Sequence, residues 1–440
     1  MHRLLALAAL LALAAPPALA GTVTVITSFP KELTAAYRAA FEKRHPAIKL
    51  EILNKSTVAS IAFVRETAAG QRPDVFWASA PDAFEVLKRD QLLARAQGVA
   101  NPKVPAKIGN YPINDPEGFY FGQALAGYGI MYNTRYLKAN KLEAPREWTD
   151  LVKPQWFGHV AMTAPSRSGT MHLTVETILQ GEGWDKGWNQ ILQMAGNSAQ
   201  ITERSFGVPD GINNGQFGGG PVIDFFGLAG KYSGFPVDFV YPQMTSIVPA
   251  NIALIAGSRN ETEAKTFIQF ALSQEGQEIL LDPKISRLPV MAYGAFGAKI
   301  PPGYPDPVAI ARRSKVQFNA DLSESRYSLV QSIFDQTITF RLKELQAATG
   351  AIHEAEAKNA AKKNPQAADL IRQARALAFA PVVSAQIADQ ADFQKLFASN
   401  KKEVAVAKRI TGLEETWNSK ARANYEKAAE LAAQAAALAR

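Results

Sequence analysis

Thr22-Val-Thr-Val-Ile-Thr27, Ile48-Lys-Leu-Glu-Ile-Leu53 and Asp74-Val-Phe-Trp-Ala78 are three short runs rich in β-branched and aromatic residues. Such runs read as strands. Residues 31–44 separate the first two and carry Leu33, Tyr37, Ala40 and Phe41 on one face at helical spacing. Residues 57–69 separate the second and third and place Ile61, Phe63 and Val64 in a helix. After the third run, Pro81 and Asp82 suit the first turn of another helix. Alternation of this kind predicts an α/β fold with an open sheet. Ligands of open α/β sheets sit beyond the carboxyl ends of the strands, where loops lead into helices. Ser28, the Ser56-Thr57 pair and Ser79 fall at those ends.

Further along, residues 122–132 form a glycine-punctuated strand, and Asn133-Thr134 opens a short helix. A strand at 158–162, a polar turn at 163–170 and helices at 171–182 and 184–194 follow. Gly218-Gly-Gly-Pro-Val-Ile-Asp224 is a glycine turn entering a strand. Strands are expected at 237–241 and 248–256, and helices at 262–273 and 274–281. Beyond about residue 307 glycine becomes scarce and Ala, Lys, Arg, Glu and Gln dominate. Residues 323–345 fit one long amphipathic helix, and 351–364, 367–380 and 421–440 fit others, with Pro365 and Pro381 as breaks. The 323–345 helix is expected to pack into the core.

At the other end, Met1-His2-Arg3 precedes an apolar run from Leu4 to Ala15, and Ala18-Leu19-Ala20 closes it. That is the layout of a cleaved secretory signal over 1–20 and predicts a periplasmic protein. No cysteine follows the run, so a lipoprotein anchor is not expected.

Composition removes much chemistry. The 440 residues include no cysteine, which excludes disulfides, thiolate nucleophiles and Cys-ligated metals. The five histidines, at 2, 45, 159, 172 and 353, form no spaced metal motif. The formal charge of +8 falls to +7 without Arg3 and is spread along the chain, which argues against nucleic acid as a partner. Gly218-Gly-Gly220 lacks the lysine of a phosphate-binding loop, and no G-x-S-x-G elbow occurs. A hydrolase using Ser166 or Ser168 lacks a base, so no catalytic residue, cofactor or metal is expected.

The sharpest candidate site is Ala164-Pro-Ser-Arg-Ser-Gly-Thr170, between a strand and a helix. Ser166, Ser168, Gly169 and Thr170 would offer hydroxyl and backbone donors at a positive helix end, suited to phosphate, phosphonate or carboxylate. Arg167, Arg204 and Lys231 are further cations whose side chains can face ligand or solvent. Asp224 sits among apolar residues and needs partners if buried. It could accept from ligand hydroxyls or an ammonium, or make a structural bond to a turn. Phe225 and Phe226 fit core or cleft wall.

Thr22 to Pro30, Arg72-Pro-Asp-Val-Phe-Trp77, Gly127-Tyr-Gly-Ile-Met-Tyr-Asn-Thr134, Ser166 to Thr170 and 261–281 occur in this order. Together with the leader they resemble the iron- and phosphonate-type branch of ABC-transporter extracellular solute-binding proteins, over about residues 22–295. The resemblance implies a type II-like periplasmic-binding-protein fold, with two α/β lobes joined by two crossing segments. Lobe 1 would span 21–122 plus 250–300, lobe 2 would span 123–249, and 301–440 would be a helical C-terminal extension. Ser28, Ser79 and the Ser168-Gly169-Thr170 turn would hold an anionic organic ligand, and Asp224 would read its other end. The family's ferric members use adjacent tyrosines where this chain has Phe225-Phe226. Tyr128, Tyr132, Tyr232 and Tyr241 keep ferric binding as a lesser alternative. Implied partners are an inner-membrane ABC permease, or a membrane sensor kinase reading a phosphoglycerate-like ligand; the protein is expected to be a monomer.

Overall fold

Strand pairing in the computed structural model, which describes residues 21–398 and 403–439, starts from the opening stretch. The leader expected over 1–20 lies outside the described residues. Strand β1 (Gly21–Thr27) pairs in parallel with β2 (Ile48–Asn54) and β3 (Val75–Ala78). Helices α1 (Lys31–Arg44), α2 (Thr57–Glu66) and α3 (Pro81–Arg89) connect or follow them, as the alternation predicts. Short strands β4 (Leu93–Ala94), β5 (Lys107–Ile108) and β6 (Tyr111–Pro112) lead to β7 (Tyr120–Asn133).

The second half of the fold opens with α4 (Thr134–Asn140), β8 (Val160–Thr163), α5 (Gly169–Glu182), α6 (Trp184–Gly196) and β9 (Ser198–Thr202). It continues with α7 (Gly207–Asn213), β10 (Gly219–Ile223), α8 (Asp224–Tyr232) and β11 (Val237–Val240). Strand β12 (Ile247–Ile255) then returns to the first half, where α9 (Glu261–Leu272), α10 (Gln274–Ile279) and β13 (Leu288–Pro289) are added.

The main sheet runs β2-β1-β3-β12-β7-β10-β8-β9. Strand β7 belongs to both halves. Tyr120 to Gly127 pairs with β12, and Tyr128 to Tyr132 pairs with β10. The molecule is therefore two-lobed, and the chain crosses between lobes along β7 and again between β11 and β12. Strand β9 and helices α7 and α8 are elements that the sequence pattern did not separate from their surroundings.

The extension comprises α11 (Pro307–Arg313), α12 (Ala320–Ser325), α13 (Tyr327–Thr337), α14 (Leu342–Lys362), α15 (Pro365–Ala378), α16 (Ala385–Ala388), α17 (Ala391–Ala398) and α18 (Val404–Leu438). The single helix expected over 323–345 is corrected to α12, α13, a 3-10 turn at Thr339–Arg341 and the start of α14. The breaks coincide with a long-range contact and a β-branched run. Arg326 leaves helical geometry at φ −116°, ψ 16°, and its side chain chelates Glu176. Thr337-Ile-Thr339 is a β-branched run of low helix propensity, and Ile338 sits at φ −116°. Pro365, expected as a break, is the first residue of α15, with Asn364 capping it.

The extension shares one core with the second lobe. Leu329, Ile333, Phe334, Leu345 and Ile352 pack in the cluster that holds Trp188, Ile191 and Leu192 of α6. Gly196 lets α14 approach α6 closely, because a Cβ there would lie 2.1 Å from the Thr349 hydroxyl. Two outcomes follow. Leu345→Ala, at a fully buried position, is expected to cost about 2–5 kcal/mol in urea unfolding. Truncation after Gly303 is expected to strip α6 of its cover and abolish cooperative unfolding, as monitored by tryptophan fluorescence.

Candidate ligand-binding cleft

The strand ends singled out by the sequence converge between the lobes. Ser28, Phe29, Ser56, Thr57 and Ser79 line the cleft from the first lobe. Arg167, Thr170, Arg204, Ser205, Phe206, Phe225 and Phe226 line it from the second. These residues stand at or just before the starts of α1, α2, α3, α5 and α8, or on the β9–α7 connection. No carboxylate is among them. Helix N-termini present unpaired N–H groups and partial positive charge, so hydroxyls, arginines and helix ends together favour an anion.

The lobes meet closely here, and the cavity between them is only about 30 Å³. A space of that size holds about one water. A Cβ at Gly169 of the second lobe would lie 2.9 Å from the Thr57 hydroxyl and 3.2 Å from the Ala80 Cβ of the first. Arg204 also reaches across, donating to Asn54 Oδ1 at 3.4 Å. Admitting an organic ligand therefore requires the lobes to separate. β7 and the 241–246 crossing, the two connections within the sheet, are where the backbone can flex.

Each expected site residue has a definite place. Ser28, Ser79 and Thr170 line the cleft, and the Ser28 hydroxyl accepts from Thr57 Oγ1 at 3.2 Å. Ser168 is absent from that lining and lies in a small adjoining pocket that shares Thr170, Ser205 and Phe226 with the cleft. Its hydroxyl caps α5 by accepting from Met171 N at 3.0 Å and pairs with Ser205 Oγ. Gly169 contributes its close approach rather than a side chain. Ser166 lies in a 3-10 turn, Pro165–Arg167, and is not a lining residue. Arg167 lines the cleft while paired with the exposed Glu203 at 3.0 Å. Lys231 lies elsewhere, paired with Asp238.

Asp224 is buried beneath the cleft. It accepts from Gly127 N at 2.7 Å, Phe225 N at 2.8 Å and Tyr241 Oη at 3.0 Å. The carboxylate thereby ties α8 to the middle of β7. Burial pushes its pKa up to about 7 against the opposing pull of those donors and of Arg287. Tyr128 is also buried, and burial raises its hydroxyl well above the usual phenol range. None of Tyr128, Tyr132, Tyr232 and Tyr241 is among the lining residues, whereas Phe225 and Phe226 are.

Sequence reasoning missed Arg287, just before β13. It is fully buried, and its Nη1 donates to Ser79 Oγ at 3.0 Å. Its guanidinium lies 3.9 Å from the Phe29 ring and 3.7 Å from the Phe225 ring, one from each lobe. Burial lowers its pKa to about 9, with Asp224 as the largest opposing influence. It belongs to no motif that the sequence offers; only the short Ser286-Arg-Leu-Pro289 run marks it.

Fold and cleft together define a class. The family of bacterial extracellular solute-binding proteins matches residues 70–308, and the chain belongs to that family. It is 32% identical over 340 residues to the phosphoglycerate transport regulatory protein PgtC of Salmonella typhimurium, covering 76% of this chain and 81% of the relative. Among solved structures it resembles the periplasmic binding protein AfuA of Actinobacillus pleuropneumoniae, solved with fructose-6-phosphate. The TM-score is 0.63 at 20% identity, over 73% of this chain and 99% of AfuA. Iron-bound HitA of Pseudomonas aeruginosa shares the fold at a TM-score of 0.55 and 17% identity, over 70% of this chain and 99% of HitA. No helix among the described residues is long and apolar enough to cross a membrane.

Two substitutions separate the roles of these residues. Gly169→Val should wedge the lobes apart, weakening ligand binding at least tenfold in calorimetric titration with little change in the urea midpoint. Asp224→Asn should do the reverse. Turning one acceptor into a donor beside Gly127 N or Tyr241 costs about 1–3 kcal/mol of stability, with ligand affinity nearly kept.

Proposed function

We propose that the protein is exported by a cleaved leader at 1–20 and acts in the periplasm, where it captures a small organic anion, phosphorylated or phosphonate-like, for ABC-type import. The observation that carries this reading is the cleft lining: serine and threonine hydroxyls, Arg167, Arg204 and converging helix N-termini, with no carboxylate. Arginine and helix ends suit phosphate and carboxylate oxygens. The phosphoglycerate named for the Salmonella relative and the fructose-6-phosphate in AfuA are ligands of the same chemical class. Capture and hinge closure need no covalent step, so no enzymatic activity is part of the proposal. Closure would form the surface that an inner-membrane permease reads. In calorimetric titration the chain should bind phosphoglycerate, a sugar phosphate or aminoethylphosphonate at micromolar or lower Kd, with affinity falling as salt rises. Failure of every organic anion to bind would sink the reading.

A second reading, ligand sensing through a membrane kinase, is favoured by one observation. The extension grips both lobes just behind the cleft. Ser323 donates to Asp82 Oδ2 of α3 at 2.8 Å and lies 3.3 Å from His172 Nε2 of α5. Arg326 chelates Glu176 of α5, and Glu324 pairs with Arg89 of α3. Separating α3 from α5 would have to break this set, so α12 and α13 would register the state of the cleft. Hydrogen exchange should then show ligand-dependent protection over 319–337. Protection confined to the cleft-lining segments would remove the extension from any signalling role.

A further inference from the structure

Arg287 is a strong donor that the protein leaves half used. A guanidinium carries five N–H groups in a fixed fork. Nη1 is taken by Ser79. Nε and Nη2, both buried, have no partner within the described residues. Buried N–H groups are normally satisfied, and an unmet one is costly.

The unused pair has a specific shape. Nε–H and the neighbouring Nη2–H point the same way along one edge of the guanidinium. That edge makes two parallel bonds to a phosphoryl or carboxylate group. The rings of Phe29 and Phe225 cover the two faces and leave the edges for hydrogen bonding. Phe29, Ser79 and Phe225, which meet the guanidinium, all line the cleft; Arg287 itself is not a lining residue and lies buried directly behind them, so a ligand reaches it only as the lobes separate. Asp224 influences the charge of Arg287, but its own hydrogen bonds go to Gly127, Phe225 and Tyr241.

We infer that Arg287 binds the anionic group of the ligand through Nε and Nη2, as the principal anion anchor of the cleft. The inference rests on the reading of the protein as an organic-anion binder. Ser79 fixes the fork from the first lobe, and Phe29 stacks on it from the same side of the hinge. Phe225 comes from the second lobe and covers the remaining face only when the lobes meet. Ligand capture and closure therefore converge on one side chain, while Arg167 and Arg204 at the rim supply longer-range attraction.

The test compares ligands that differ only in the anion. Phosphoglycerate is titrated against glycerate, and fructose-6-phosphate against fructose, with the full chain and with Arg287→Gln, Arg287→Lys and Lys231→Ala. The wild type is expected to prefer the phosphorylated member of at least one pair by 100-fold or more. In Arg287→Gln that preference should collapse to below tenfold. Arg287→Lys keeps a charge but loses the fork, and should fall between the two. Lys231→Ala, at a cation outside the cleft, should leave the preference unchanged. Thermal unfolding identifies any variant that is misfolded, and the lysine variant carries the test if the glutamine variant is. A phosphate preference that survives in the folded variants, or affinity that falls equally for both members of a pair, assigns Arg287 a packing role and overturns the inference alone. A wild type that binds none of these ligands overturns the binding reading as well.

Discussion

Strand β7 is the constraint on which the rest of the structure depends. Its first half is hydrogen-bonded into one lobe and its second half into the other, so neither sheet is complete without it. It must therefore be buried along almost all of its 14 residues, which explains its apolar, glycine-rich sequence. Any movement between the lobes has to be absorbed along this strand and the 241–246 crossing. Asp224 acts on the same point. By accepting from Gly127 N it fastens the start of α8 to the residue where β7 passes from one sheet to the other.

That arrangement aims the chemistry. Parallel strands of the first lobe end at the cleft, and each is followed by a helix whose positive end faces it. The second lobe contributes α5 and α8 in the same sense. The donor-rich lining is thus built first from backbone, then from hydroxyls at the same strand ends, and finally from arginines. The extension adds a third body to this two-lobed scheme. Most of it completes the core beside α6, while the α12–α13 junction spans from α3 to α5.

The opening strands and helices were legible because period, capping residues and β-branched runs all agreed. Ser28, Ser79 and Thr170 were legible for the same reason, since they sit at strand ends or helix starts whose direction follows from the alternation. Ser168 illustrates the limit. Its place before a helix is evident in the sequence, but the same position suits a cap and a ligand contact equally, and only the structure shows that its hydroxyl bonds Met171 N and Ser205. The unbroken helix expected over 323–345 failed because Arg326 is drawn out of helical geometry by Glu176, 150 residues away.

By itself the sequence determined the α/β class, the order of most elements and the donor-rich character of the strand ends, because these depend on local propensity and residue type. The tertiary structure alone decided that β7 serves both sheets, that Asp224 faces inward, and that Arg287 stands between Phe29 and Phe225. Those facts depend on contacts between residues far apart in the chain, and such contacts exist only once the lobes have formed around their shared strand.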